Sequence, residues 1–103
     1  MKNRLIRKRI KQHIANTELE ITFSVLKTLY ENKNQDILKE LIILQGQYQH
    51  LRNTKELSLE QEMRDIKKIV DALKGFTNQL RKVYEKNLPP EIVEELASLL
   101  PEK

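Results

Sequence analysis

Residues Ser58–Lys86 read SLEQEMRDIKKIVDALKGFTNQLRKVYEK. Leu59, Met63, Ile66, Val70, Leu73, Leu80 and Tyr84 recur at spacings of three and four, with Thr77 at the one polar step. That recurrence places them on one stripe of an α-helix. A second seam, Ile66, Ile69, Leu73, Phe76, Leu80 and Val83, is interleaved with the first. Two seams let one helix pack against two neighbours, as in a bundle. Ser58-Leu59-Glu60-Gln61 is a capping box that opens the helix. Unbroken to Lys86, the helix is about 42 Å long at 1.5 Å per residue. The first two helices are too short to cover it. Either it bends near Gly75, or its second half projects and needs another partner.

Upstream, Ile37, Leu38, Leu41, Ile42, Leu44, Tyr48 and Leu51 define a helix from about Gln35 to Arg52. Ile43 widens its stripe, which predicts the most central helix. Gly46 inside it costs about 1 kcal/mol relative to Ala. Close approach of a neighbouring helix would account for it. Leu19, Phe23, Leu26, Leu29 and Tyr30 define the preceding helix, from Glu18 to about Glu31, with Thr17-Glu18-Leu19-Glu20 as its capping box. Ile6, Ile10 and Ile14 define the first helix, Asn3 to about Ala15. Breaks at Asn16-Thr17, at Asn32–Gln35 and from Asn53 to Leu57 suit connections between antiparallel neighbours.

Downstream, Asn87-Leu88-Pro89-Pro90 ends the long helix, because proline lacks an amide donor and biases its predecessor away from helix. A short helix follows to Leu100, with Ile92, Val93, Leu96, Leu99 and Leu100 apolar and Glu91, Glu94 and Glu95 polar. The expected fold is all-α: a compact antiparallel helical bundle of four main helices plus a short C-terminal helix. Residues 1–86 form the bundle. Residues 87–103 form an acidic extension that packs on it or binds a partner.

With 103 residues, the chain has room for one domain. It contains no Cys, which excludes disulfides, thiolate metal sites and a cysteine nucleophile. Two Gly are too few for a phosphate-cradling loop. The formal charge of +4 is unevenly spread. Residues 1–13 hold six cations and no acid, whereas residues 85–103 hold five acids and two bases. No apolar run follows the basic start as a secretory signal requires, and early Glu18 and Glu20 argue against a mitochondrial one. No stretch approaches a membrane span. The expected location is the cytoplasm.

No catalytic, cofactor or metal constellation emerges. His13 and His50 neighbour Lys, Arg and Gln rather than carboxylates. Ser58 has its capping role, and Ser24 has no nearby His. Tyr30, Tyr48 and Tyr84 fall at core spacing and are expected at the core edge with their hydroxyls in water. The one electrostatic feature is the basic patch Arg4, Arg7, Lys8, Arg9 and Lys11. Its readings are contact with phosphate, of nucleic acid or anionic lipid, cations shown only to solvent while the isoleucine face packs on the bundle, and contact with an acidic protein surface or the acidic tail of another copy.

The stretches IRKRIKQHIANTELEITFSVLKTL (residues 6–29), ILKELIILQGQYQHLRN (37–53) and LSLEQEMRDIKKIVDAL (57–73) resemble the effector-associated domain 11 family. Leu44, Tyr48 and Leu51 stand where that family has its Leu, Tyr and Leu. Ser58 stands where a turn opens the last helix. Phe23 replaces a small residue, and the turn Thr54–Ser58 lacks the family's Gly. The resemblance covers about residues 4–86. It implies an adaptor that joins proteins of bacterial conflict systems by like-with-like contacts, and it carries no catalytic residues.

The expected function is therefore a non-catalytic protein-interaction domain without cofactor or metal, with nucleic-acid binding as the alternative. The partner would be a second copy or a domain of the same family in an effector, and no membrane. The candidate protein interface is Phe76, Leu80, Val83 and Tyr84 on the long helix with Ile92, Leu96 and Leu99 on the last.

Overall fold

The structure, a computed structural model, describes residues 2–54, 58–84 and 86–100. Five helices follow in order: α1 (Asn3–Ala15), α2 (Leu19–Tyr30), α3 (Gln35–Asn53), α4 (Leu59–Val83) and α5 (Pro90–Leu99). Among the described residues there is no strand, and the one isolated bridge pairs Lys2 with Asn87. The molecule is an all-α bundle measuring 44 × 32 × 20 Å.

Side-chain pairs set the directions. Lys27 of α2 donates to Gln45 of α3 at 2.7 Å, and Arg52 of α3 donates to Glu20 of α2 at 2.5 Å. As one number rises the other falls, so α2 and α3 are antiparallel. Asn3, at the start of α1, bonds the carbonyls of Leu80 and Tyr84 at the end of α4, so α1 runs back along α4. Asn34 caps α3 by accepting from the Ile37 amide at 3.1 Å, and Ser58 caps α4 by accepting from Gln61 at 3.2 Å. The connection from α3 to α4 crosses residues 55–57, which lie outside the described set, and α4 ends at Val83, three residues short of the expected Lys86.

The central helix is α2, not α3. It contacts each of the other four helices, whereas α3 contacts only α2 and α4. Leu19, Phe23, Val25, Leu26, Leu29 and Tyr30 are buried on it. Each such side chain contributes about 1.5–3 kcal/mol of hydrophobic stabilisation. On α3 the wide stripe is only partly used: Ile37, Leu41, Tyr48 and Leu51 face inward, while Ile42 and Ile43 are 53% and 60% exposed. Gly46 is likewise exposed, and a Cβ built there meets nothing within 4 Å. Close helix approach therefore does not explain it.

Helix α4 is continuous through Gly75. At 1.5 Å per residue it measures about 38 Å, against about 20 Å for α1. Because α1 starts beside the end of α4, it runs out before reaching the start of α4. The unpartnered part is therefore the first turns rather than the second half, and Leu59 and Met63 are 71% and 63% exposed. The second half is enclosed: Ile69, Leu73, Phe76, Leu80 and Tyr84 are core. Helix α5 packs on α2 alone among the helices, and Leu88, Leu96 and Leu100 join the same core.

The expected capping box at Thr17 does not form. Thr17 has a φ of 59°, and the residue before α2 makes no side-chain cap. Its neighbourhood closes α1 instead. The Thr17 amide donates to Ile14 and the Glu18 amide to His13, the paired bonds of a Schellman motif. The last carbonyls of α1 took the turn before α2 could use it. A β-branched residue in this left-handed position costs on the order of 1 kcal/mol.

Two tyrosines tie α2 to α4 reciprocally. The Tyr30 hydroxyl donates to the Phe76 carbonyl, and the Tyr84 hydroxyl donates to the Leu29 carbonyl. These hydroxyls are not wet: both residues are buried. Burial, and for Tyr30 the neighbouring Tyr84, pushes the phenol pKa values above the ordinary 10. An unfolded tyrosine ionises near pH 10, while the folded one keeps its proton to higher pH. The stabilisation is thus complete below pH 10 and is lost as pH rises toward the folded values. The urea midpoint is expected to be flat from about pH 7 to 9 and to fall above about 10. Replacing both tyrosines by Phe flattens that fall; an unchanged fall in the double variant would assign it to other groups.

Candidate interaction surface

The basic stripe of α1 and the end of α4 meet at one edge of the bundle. Asn3 organises this meeting. It is buried, its side-chain amide donates to the carbonyls of Leu80 at 2.9 Å and Tyr84 at 2.7 Å, and its backbone amide donates to Lys86 at 2.9 Å. The Leu80 carbonyl also accepts from the Tyr84 amide, whereas the Tyr84 carbonyl lies past the last helical turn, so Asn3 reinforces and extends the end of α4 from the far end of the sequence. Its Oδ1 accepts from Nε of Arg7 at 3.0 Å. That bond leaves the two terminal nitrogens of the guanidinium for other acceptors.

Beside this clamp lies an open cleft of about 1050 Å³, lined by Lys2, Arg4, Arg7, Arg81 and Lys86 together with Asn3, Tyr84 and Asn87. Among the described residues no carboxylate lines it. A shallower hollow of about 400 Å³ continues along α1 past Lys8 and Lys11 and shares Arg4 and Arg7. The structure thus brings together four of the five residues of the expected basic patch. Arg9 is half-buried and lines neither hollow. Sequence reading missed Arg81 and Lys86 as members of the cleft. They stand far from α1 in sequence, so no spacing pattern joins them to it.

The apolar candidates divide differently. Phe76, Leu80, Tyr84 and Leu96 are interior, Val83 and Ile92 are half-buried against the core, and Leu99 is at the surface. The cause is the clasp of α1 and α2 around the second half of α4, and the docking of α5 on α2. Apolar surface remains elsewhere. A groove of about 560 Å³ runs between α3 and α4, lined among others by Leu44, Gly46, Leu51, Asp65, Lys68 and Ile69. Ile43 lies one turn before Gly46 and Gln47, on the groove-lining side of α3.

No group of three or more metal-ligating side chains occurs among the described residues, and no helix there is long and apolar enough to cross a membrane. His13 lies 3.2 Å from Glu18, beside the turn that closes α1.

A scan against family models matches effector-associated domain 11 over residues 6–81. The chain belongs to this family. The match takes in α2, α3 and most of α1 and α4, so the cleft straddles its limits: Arg7 and Arg81 lie inside, and Lys2, Arg4 and Lys86 lie outside. The α5 helix of this effector-associated domain also lies beyond the match. No curated protein and no solved structure matches the chain.

Proposed function

We propose that this effector-associated domain is a non-catalytic, cytoplasmic adaptor that links effector and sensor proteins of a bacterial defence or signalling system through like-with-like helical contacts. Family membership supports the adaptor role. The observation that carries the protein-binding reading is the unpartnered apolar surface of α3, where Ile42 and Ile43 stand more than half exposed, Ile43 on the side of the α3–α4 groove. Leu59 and Met63 add exposed apolar area at the start of α4. Large apolar side chains grouped on one surface are a mark of protein interaction sites. The proposed occupant is an apolar helix of another domain of the same family.

The test is titration of the purified domain against other effector-associated domains encoded beside it, with Ile43→Asp as the surface variant. The expected result is saturable binding that weakens at least about tenfold in the variant, the effect of removing one interface anchor. The thermal midpoint is expected to stay within about 2 °C, because exposed positions contribute little to stability. Binding to none of these domains, or equal binding by Ile43→Asp, would overturn the reading.

A further inference from the structure

The cationic cleft has a counterpart on the same chain. Helix α5 turns Leu96 and Leu100 toward the core, which leaves Glu91, Glu94 and Glu95 on its exposed side. Residues three and four apart share one helix face, so Glu91, Glu94 and Glu95 form a compact acidic cluster. Among the described residues the cleft offers five cations and no carboxylate, and Arg7 is already held by Asn3. A guanidinium fixed in this way presents its fork to a carboxylate with little further ordering.

We propose that the cleft lined by Lys2, Arg4, Arg7, Arg81 and Lys86 receives the acidic face of α5, Glu91, Glu94 and Glu95, from a second copy of this chain. The proposal rests on the adaptor reading and adds a second, electrostatic contact to it. Complementary charge points to the partner, since each copy carries both halves of the contact. A nucleic acid fits less well. Asn87 lines the cleft and Glu91 follows four residues later, at most about 14 Å away along the chain. A phosphate strand extending from the cleft toward α5 would run onto these carboxylates.

Exposed ion pairs are individually weak and are screened by salt. The contact is therefore expected as concentration-dependent self-association in about 50 mM salt that returns to monomer in about 500 mM. Light scattering or sedimentation of the whole chain reads it. Two variants isolate the halves: Arg81→Glu with Lys86→Glu, and Glu91→Lys with Glu94→Lys. All four positions are exposed, and circular dichroism checks that the variants fold. Each variant alone is expected to be monomeric, and an equimolar mixture of the two is expected to associate again. A monomeric wild type at low salt, association unchanged in either variant, or no recovery on mixing would overturn the proposal. So would binding of a fluorescent single-stranded oligonucleotide that Arg81→Glu with Lys86→Glu abolishes while no self-association is seen. A chain that stays monomeric but still binds a neighbouring family domain through Ile43 would sink this contact and leave the adaptor reading standing.

Discussion

Phe23→Ala is expected to lower the unfolding free energy by about 3–5 kcal/mol, while Ile43→Ala changes it by less than about 0.5 kcal/mol. Both are large apolar residues on adjacent helices, and the sequence stripe ranks α3, which carries Ile43, above α2. Phe23 is fully buried on the helix that touches all the others, and its ring lies 5.9 Å from that of Tyr48. Truncation removes the transfer energy of the ring and leaves a cavity that the surrounding core can collapse into only partly. A domain of this size is stable by roughly 5–15 kcal/mol, so the variant approaches the limit of folding. Ile43 is mostly exposed, and its replacement also gains helix propensity. Urea unfolding of the two variants measures the difference. Equal costs would mean that α3, not α2, holds the centre.

Asn3→Ala is expected to cost about 2–3 kcal/mol, and Asn3→Asp more. Two buried carbonyls, those of Leu80 and Tyr84, lose their side-chain donor in either variant. Each buried hydrogen bond of this kind contributes about 1–1.5 kcal/mol. Aspartate adds carboxylate oxygens facing carbonyl oxygens, and the ionised group cannot donate. Arg7 offsets part of that repulsion. Denaturation at neutral pH gives the order wild type, Ala, Asp. Amide exchange at the end of α4 is expected to accelerate in both variants, because the end of the helix loses that reinforcement. An Ala variant within about 0.5 kcal/mol of wild type would mean that water replaces the amide without loss.

The helices themselves were legible because apolar spacing records which face of each segment is buried. Helix α5 was read to within a residue from Pro90, its apolar stripe and Pro101. The ranking of helices was not legible. Ile42 and Ile43 look like core by composition, but whether a second layer covers α3 depends on where α5 docks. Helix α5 settles on α2, so the outer side of α3 stays bare. The same limit applies to the start of α4. Leu59 and Met63 continue a perfect stripe, and only the shorter reach of α1 exposes them. For the cleft, three of the five cations, Lys2, Arg4 and Arg7, were visible in the basic start of the chain. The others are Arg81 and Lys86, and the tie between the two groups is Asn3.

Sequence alone determined the all-α class, the helix boundaries to within a few residues, the family, and the segregation of charge to the two ends of the chain. All of these follow from local periodicity, capping residues and composition, which act over a few turns of helix. Tertiary structure decided which helix is central, which apolar residues stay in water and which cations share a cleft. Those outcomes depend on helix lengths compared across the bundle and on contacts such as Asn3 with Tyr84, between positions 81 residues apart, which no local pattern encodes.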